Sequence, residues 1–123
     1  MYAGYDGTYG PTEVQFDQVW VLSLPAFRWF KANYTATNSR IGHTCHVVGN
    51  RQLLTIGGVD PTQSDLVGVW RGPDRLNQGL GIFDMSAMTW LHSYNASAAA
   101  YVRPDVVKAW YDQKYVPLQI EML

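Results

Sequence analysis

A chain of 123 residues with 47% hydrophobic and 15% charged residues has the apolar content to build a core and too little charge to be disordered. Its net charge is −1, with no basic stripe to meet a nucleic-acid backbone, and no apolar run approaches the ~20 residues of a membrane span. The one cysteine, Cys45, leaves no internal disulfide and is compatible with any compartment.

Aromatic residues reach 14%, which suits pleated, half-buried surfaces and points to a β-rich fold. Residues 1–16 read as turns, with Gly4, Gly7, Gly10 and Pro11 breaking any regular run. The opening residues carry no basic-then-apolar block of a secretory signal, so any such signal is expected outside this chain. Residues 17–24 are β-branched and aliphatic, and predict a strand. Pro25-Ala26 turns the chain, and residues 27–34 alternate well enough for a second strand. A third is expected over 43–48. Gly49-Asn50 is a hairpin signal because both residues tolerate left-handed backbone, and 51–56 returns to end at Gly57-Gly58. A long loop fills 59–78, with two Pro and two Gly. Strands are expected at 79–84 and 89–94 around a turn at 85–88. Pro104-Asp105 opens a short helix over 104–113, with Val107, Trp110 and Tyr111 on one face.

One internal similarity organises these elements. Leu22 to Trp29 matches Phe83 to Trp90 at a constant offset of 61 residues, apolar against apolar, with Trp closing both. Upstream, Ala3-Gly4 stands where Gly57-Gly58 stands in the second unit. The two glycine-to-Trp spacings differ by 7 residues, which the longer 59–78 loop absorbs.

The second unit resembles the kelch repeat. Arg40-Ile41-Gly42-His43 opens its first strand, and Gly57-Gly58 closes its second. Phe83-Asp84 ends its third, and Trp90 lies in its fourth. The resemblance implies an all-β fold, a partial kelch-type β-propeller. It comprises about one and a half blades of antiparallel four-stranded sheet and a short C-terminal helix. The expected organisation is a partial propeller over 1–97, divided into an incomplete blade at 1–36 and a full blade at 37–97, then a C-terminal segment at 98–123. Gly4, Trp29, His43, Gly57, Gly58, Phe83, Asp84 and Trp90 are its structural repeat positions. The sequence departs from the pattern at Ala3, where Gly is expected, and at Ser23 opposite Asp84.

The stretches 41–49, 79–85, 98–101 and 104–111 are also similar to fungal kelch proteins related to the galactose-oxidase central domain. That resemblance implies an extracellular or membrane-anchored ectodomain. Propellers close with four to eight blades, so two partial blades read as a fragment of a larger ring. The other architecture is a small two-sheet protein that stands alone.

His43, Cys45 and His46 are the one metal-like cluster. Strand alternation sends His43 and Cys45 to one face and His46 to the other, so packing is the expected role and no cofactor is implied. A copper-radical site would need a Tyr cross-linked to Cys plus further ligands, and no residue here maps onto one. The scattered carboxylates suit turns rather than acid–base pairs. Loop 59–78 is the binding candidate, because Trp70, Arg71, Asp74 and Arg75 group an aromatic with charges. Asn33-Tyr34-Thr35 and Asn95-Ala96-Ser97 are N-glycosylation patterns. The sequence thus points to a non-catalytic scaffold for a protein or a carbohydrate partner, with no nucleic acid and no membrane span in this chain. The alternative is part of a carbohydrate or copper oxidase whose catalytic residues lie elsewhere.

Overall fold

The computed structural model describes residues 1–3, 17–34, 39–62, 70–74 and 76–114. Gly4 and the rest of the turn-rich opening, Thr35, residues 63–69, Arg75 and the 115–123 end lie outside the described residues. The fold is β-rich with one C-terminal helix, as the sequence predicts. Strands β1 (Trp20–Ser23) and β2 (Arg28–Lys31) form an antiparallel pair. Strands β3 (Thr44–Val48), β4 (Gln52–Ile56), β5 (Leu80–Asp84) and β6 (Thr89–Leu91) form an antiparallel sheet in the order β3-β4-β5-β6. Helix α1 spans Asp105–Lys114.

Each expected strand forms, several of them shorter than the apolar run suggests. The 17–24 run pairs as a ladder only from Trp20, because Val19 makes an isolated bridge to Tyr2. The 89–94 run stops at Leu91. Beyond it, the fully buried Gln52 amide donates to the Asn95 carbonyl and accepts from the Asn95 N–H, both at 2.8 Å. That side chain holds segment 92–98 against the sheet without a ladder. Helix α1 starts one residue later than Pro104, whose carbonyl caps it by accepting from Lys108 at 2.9 Å.

The 61-residue offset is visible in the register. β1 pairs β2 as Leu22↔Trp29 and Ser23↔Arg28, and β5 pairs β6 as Phe83↔Trp90 and Asp84↔Thr89. Both connecting turns place the residue before the second strand in left-handed backbone, Phe27 at φ 50° and Met88 at φ 53°. The remnant at the N-terminus follows the same plan. The Ala3 N–H donates to the Gln18 carbonyl at 3.2 Å, as Gly57 donates to Gly79 at 2.8 Å. Ala3 also keeps the left-handed backbone of Gly57, φ 56° against 68°, despite its Cβ.

Alternation gives each sheet an aromatic face and a mainly aliphatic face, the latter in the β1–β2 unit also carrying Phe30 opposite Val21. The aromatic face of the four-stranded sheet carries Leu53, Phe83 and Trp90 in one cross-strand row. Val19, Val21 and Ala32, on the aliphatic side of the β1–β2 unit, pack against it together with Tyr2 and Tyr34. The Tyr2 ring meets Trp90 edge-on at 4.9 Å, and Tyr34 lies 6.2 Å from Phe83. Burial pushes the Tyr2 hydroxyl well above the ordinary phenol range and raises that of Tyr34. This row of contacts is the core, and it stacks the two units in the same orientation, aliphatic face on aromatic face.

Helix α1 closes the side of the β1–β2 unit. Val107 is buried, and Trp110 meets Phe30 edge-on at 6.1 Å beneath the Arg28 guanidinium, 5.1 Å from the indole. The Tyr111 hydroxyl lies 3.1 Å from the Ser23 hydroxyl, which donates to it, and accepts from the Ala26 N–H at 3.4 Å. In the other unit Asp84 caps the turn unaided, its Oδ1 accepting from Ser86 and Ala87 N–H at 2.9 Å each. Arg51 holds the Asp84 Oδ2 from 2.8 Å. Ser23 is too short to reach so far, and the helix supplies the missing acceptor. No described helix is long and apolar enough to cross a membrane.

Candidate functional site

Loop 59–78 leaves the sheet at a pinned base. Ile41 and Val59 exchange backbone hydrogen bonds at 2.9 and 3.0 Å, and the Asp60 carboxylate turns the chain by accepting from the Thr62 N–H at 2.9 Å. The loop returns to the sheet at the Arg40–Asp74 pair. The Arg40 side chain is only 4% exposed and donates to the Gly57 carbonyl at 2.6 Å and the Gly58 carbonyl at 3.2 Å. Its fork then meets both Asp74 carboxylate oxygens, Oδ2 at 3.2 Å. A charge buried this deeply requires such partners, and a bidentate carboxylate is the geometry a guanidinium fits best. Those hydrogen bonds hold the Asp74 carboxyl below its ordinary pKa, and its Oδ1 also accepts from the Leu76 N–H at 2.8 Å.

Gly58 explains why the glycine pair sits at this junction. Its φ is +83°, and a Cβ would lie 2.6 Å from the Ile41 carbonyl and 2.8 Å from Arg40 Cγ. Only glycine lets the start of the loop approach the Arg40–Ile41 segment so closely.

The structure separates the four loop residues that the sequence groups. Asp74 pairs with Arg40 and anchors the loop, although its side chain is 36% exposed, whereas Trp70 is 72% exposed and Arg71 is exposed beside it without a role in the anchor. Arg75 lies outside the described residues. Arg40 is a residue of this site that the sequence shows only as the start of a motif. The available signal was a lone arginine just ahead of a strand, facing a loop with an acidic residue.

His43 precedes β3, and its ring packs against Tyr2 at 4.8 Å. Burial, with a smaller push from the Arg40 charge, holds its pKa below the ordinary histidine value. Cys45 pairs with Thr55 and His46 with Leu54, which places them on opposite faces. Among the described residues no three His, Cys, Asp or Glu side chains converge on a position that could hold a metal ion. Asn33 and Asn95 are both exposed, and the Asn95 Oδ1 accepts from the Ser97 N–H at 2.9 Å. Trp29 is nearly half exposed, whereas its counterpart Trp90 is packed into the core row.

A Kelch repeat-containing protein of Arthroderma benhamiae is similar to this chain, 32% identical over 87 residues. The match covers 68% of this chain and 12% of that protein's length. The chain is thus related to kelch-repeat sequence, and it spans about an eighth of the curated relative. No family model matches the sequence, and no solved structure matches the chain.

Proposed function

We propose that the chain is a non-catalytic scaffold that binds a protein partner through loop 59–78. The observation that carries this reading is a fixed base beneath an exposed aromatic. Arg40 and Asp74 tie the loop to the sheet, while Trp70 stands 72% exposed with Arg71 beside it. Tryptophan and arginine are the side chains most enriched where binding energy concentrates, and a preformed base lowers the entropy cost of binding. The relation to kelch-repeat sequence supports the same reading. In it, residues 1–36 are an incomplete blade, 37–97 a full blade and 98–123 a C-terminal segment.

The test is a peptide selection on the purified chain, followed by affinity measurements with Trp70→Ala and Arg71→Ala. The reading expects a loss of roughly 30-fold for Trp70→Ala, the scale of a ~2 kcal/mol hot spot, with unchanged thermal unfolding. Selected peptides that bind both variants like the wild type would contradict it, as would binding confined to oligosaccharides. The finer relation to galactose-oxidase central domains belongs to the proposal too, with an extracytoplasmic location. It assigns N-linked sugar to Asn33 and Asn95, whose exposure supports it. A native protein with no mass shift after glycosidase treatment would remove that assignment.

A further inference from the structure

Among the described residues the aliphatic face of the four-stranded sheet lies open, although its counterpart in the β1–β2 unit is closed. Position for position, Val19 corresponds to Leu80 and Val21 to Ile82. Val19 is 4% exposed and Leu80 41%. A groove of about 440 Å³ runs over this face, lined by Val48, Leu54, Leu80, Ile82 and Tyr94. The closed counterpart is covered by the aromatic face carrying Phe83 and Trp90. Among the described residues there is one more aromatic face of that kind. It carries Leu22 and Trp29 at the positions of Phe83 and Trp90, and they are 39% and 47% exposed.

We propose that this groove is a docking surface for a second copy of the chain, which seats the Leu22–Trp29 face of its β1–β2 unit there. The contact repeats between copies the packing already present within one. It uses a different patch on each partner, so it is heterologous and leaves one free face at each end of a pair. Burial of two half-exposed apolar rows supplies its driving force. It is independent of whether loop 59–78 binds anything.

Sedimentation equilibrium of the 123-residue chain over a concentration series tests this. The apparent mass should at least double with concentration. Leu80→Asp with Ile82→Asp should hold one variant at the mass of a single copy, and Leu22→Asp with Trp29→Asp another. Each variant keeps the face the other has lost, so their mixture should form a 1:1 complex and nothing larger. Leu80→Ser and Leu22→Ser repeat the same comparison if an aspartate pair unfolds the chain. A folded wild type that stays at the mass of one copy throughout would overturn the proposal. So would association that survives both sets of variants, or a mixture that fails to pair.

Discussion

The two units carry matching residues in matching register, yet one aliphatic face is closed and the other is open. Val19 and Ala32 are buried because Phe83 and Trp90 lie over them, whereas Leu80 has no such cover among the described residues. The turns show the same contrast. Asp84 caps its turn from within, and the equivalent turn after Ser23 depends on the Tyr111 hydroxyl from a helix 88 residues further along. Local sequence therefore decides how each unit pairs its strands, and neighbours decide which faces are dry.

The sharpest test of that contrast compares equivalent side chains. Phe83→Ala should cost about 3–5 kcal/mol, the range for emptying a buried aromatic position. Leu22→Ala at the matching open position should stay within about 0.5 kcal/mol in dilute solution. Denaturant unfolding of the two variants measures both, and equal costs would break the equivalence. Next in size is Gly58→Ala, which forces a Cβ against the Ile41 carbonyl in left-handed backbone and should cost about 1–3 kcal/mol. Ala3 already bears a Cβ at the other unit's glycine-pair position, in left-handed backbone, so Ala3→Gly should gain rather than lose stability, by under ~1 kcal/mol.

A smaller effect separates the two caps. Tyr111→Phe should cost about 0.5–1.5 kcal/mol by removing the acceptor for Ala26. The added change Ser23→Asp should recover part of that loss by offering a carboxylate oxygen to the Ala26 N–H, although Pro25, at the Ser86 position, has no N–H to donate. Thermal unfolding of the single and double variants reads this as a coupling.

The smallest expected effect is a pH dependence at the loop base. His43 and Asp74 both have lowered pKa values in the fold, so the unfolded chain binds their protons first as pH falls. Each contribution is complete above the ordinary value of its group and fades below it. The His43 share fades below about pH 6.5 and the Asp74 share below about pH 4. A melting-temperature profile should therefore decline in two steps on acidification, and Asp74→Asn should flatten the lower one.

Much of the pairing was legible in the sequence. The Gly49-Asn50 turn, the glycine pair and the repeated Trp positions gave the strands and their order, because each is a local signal. The contacts that finish the fold were not legible. Gln52 binding the Asn95 backbone, Tyr111 reaching the Ser23 turn and Arg40 gripping Asp74 all join residues at least 34 positions apart. Side chains bonded to distant partners leave no periodicity to read. The candidate loop was recognisable by its length and its Trp-Arg composition, but composition alone does not tell the anchor, Asp74, from the exposed pair.

The central claim is that the aliphatic face of the β1–β2 unit packs on the aromatic face of the four-stranded sheet. Nuclear Overhauser contacts between aromatic side chains in solution test it most directly. The account predicts cross-peaks between the Tyr2 and Trp90 rings and between the Tyr34 and Phe83 rings. A folded chain that shows the strand pairings of both sheets but lacks these inter-sheet contacts would contradict it.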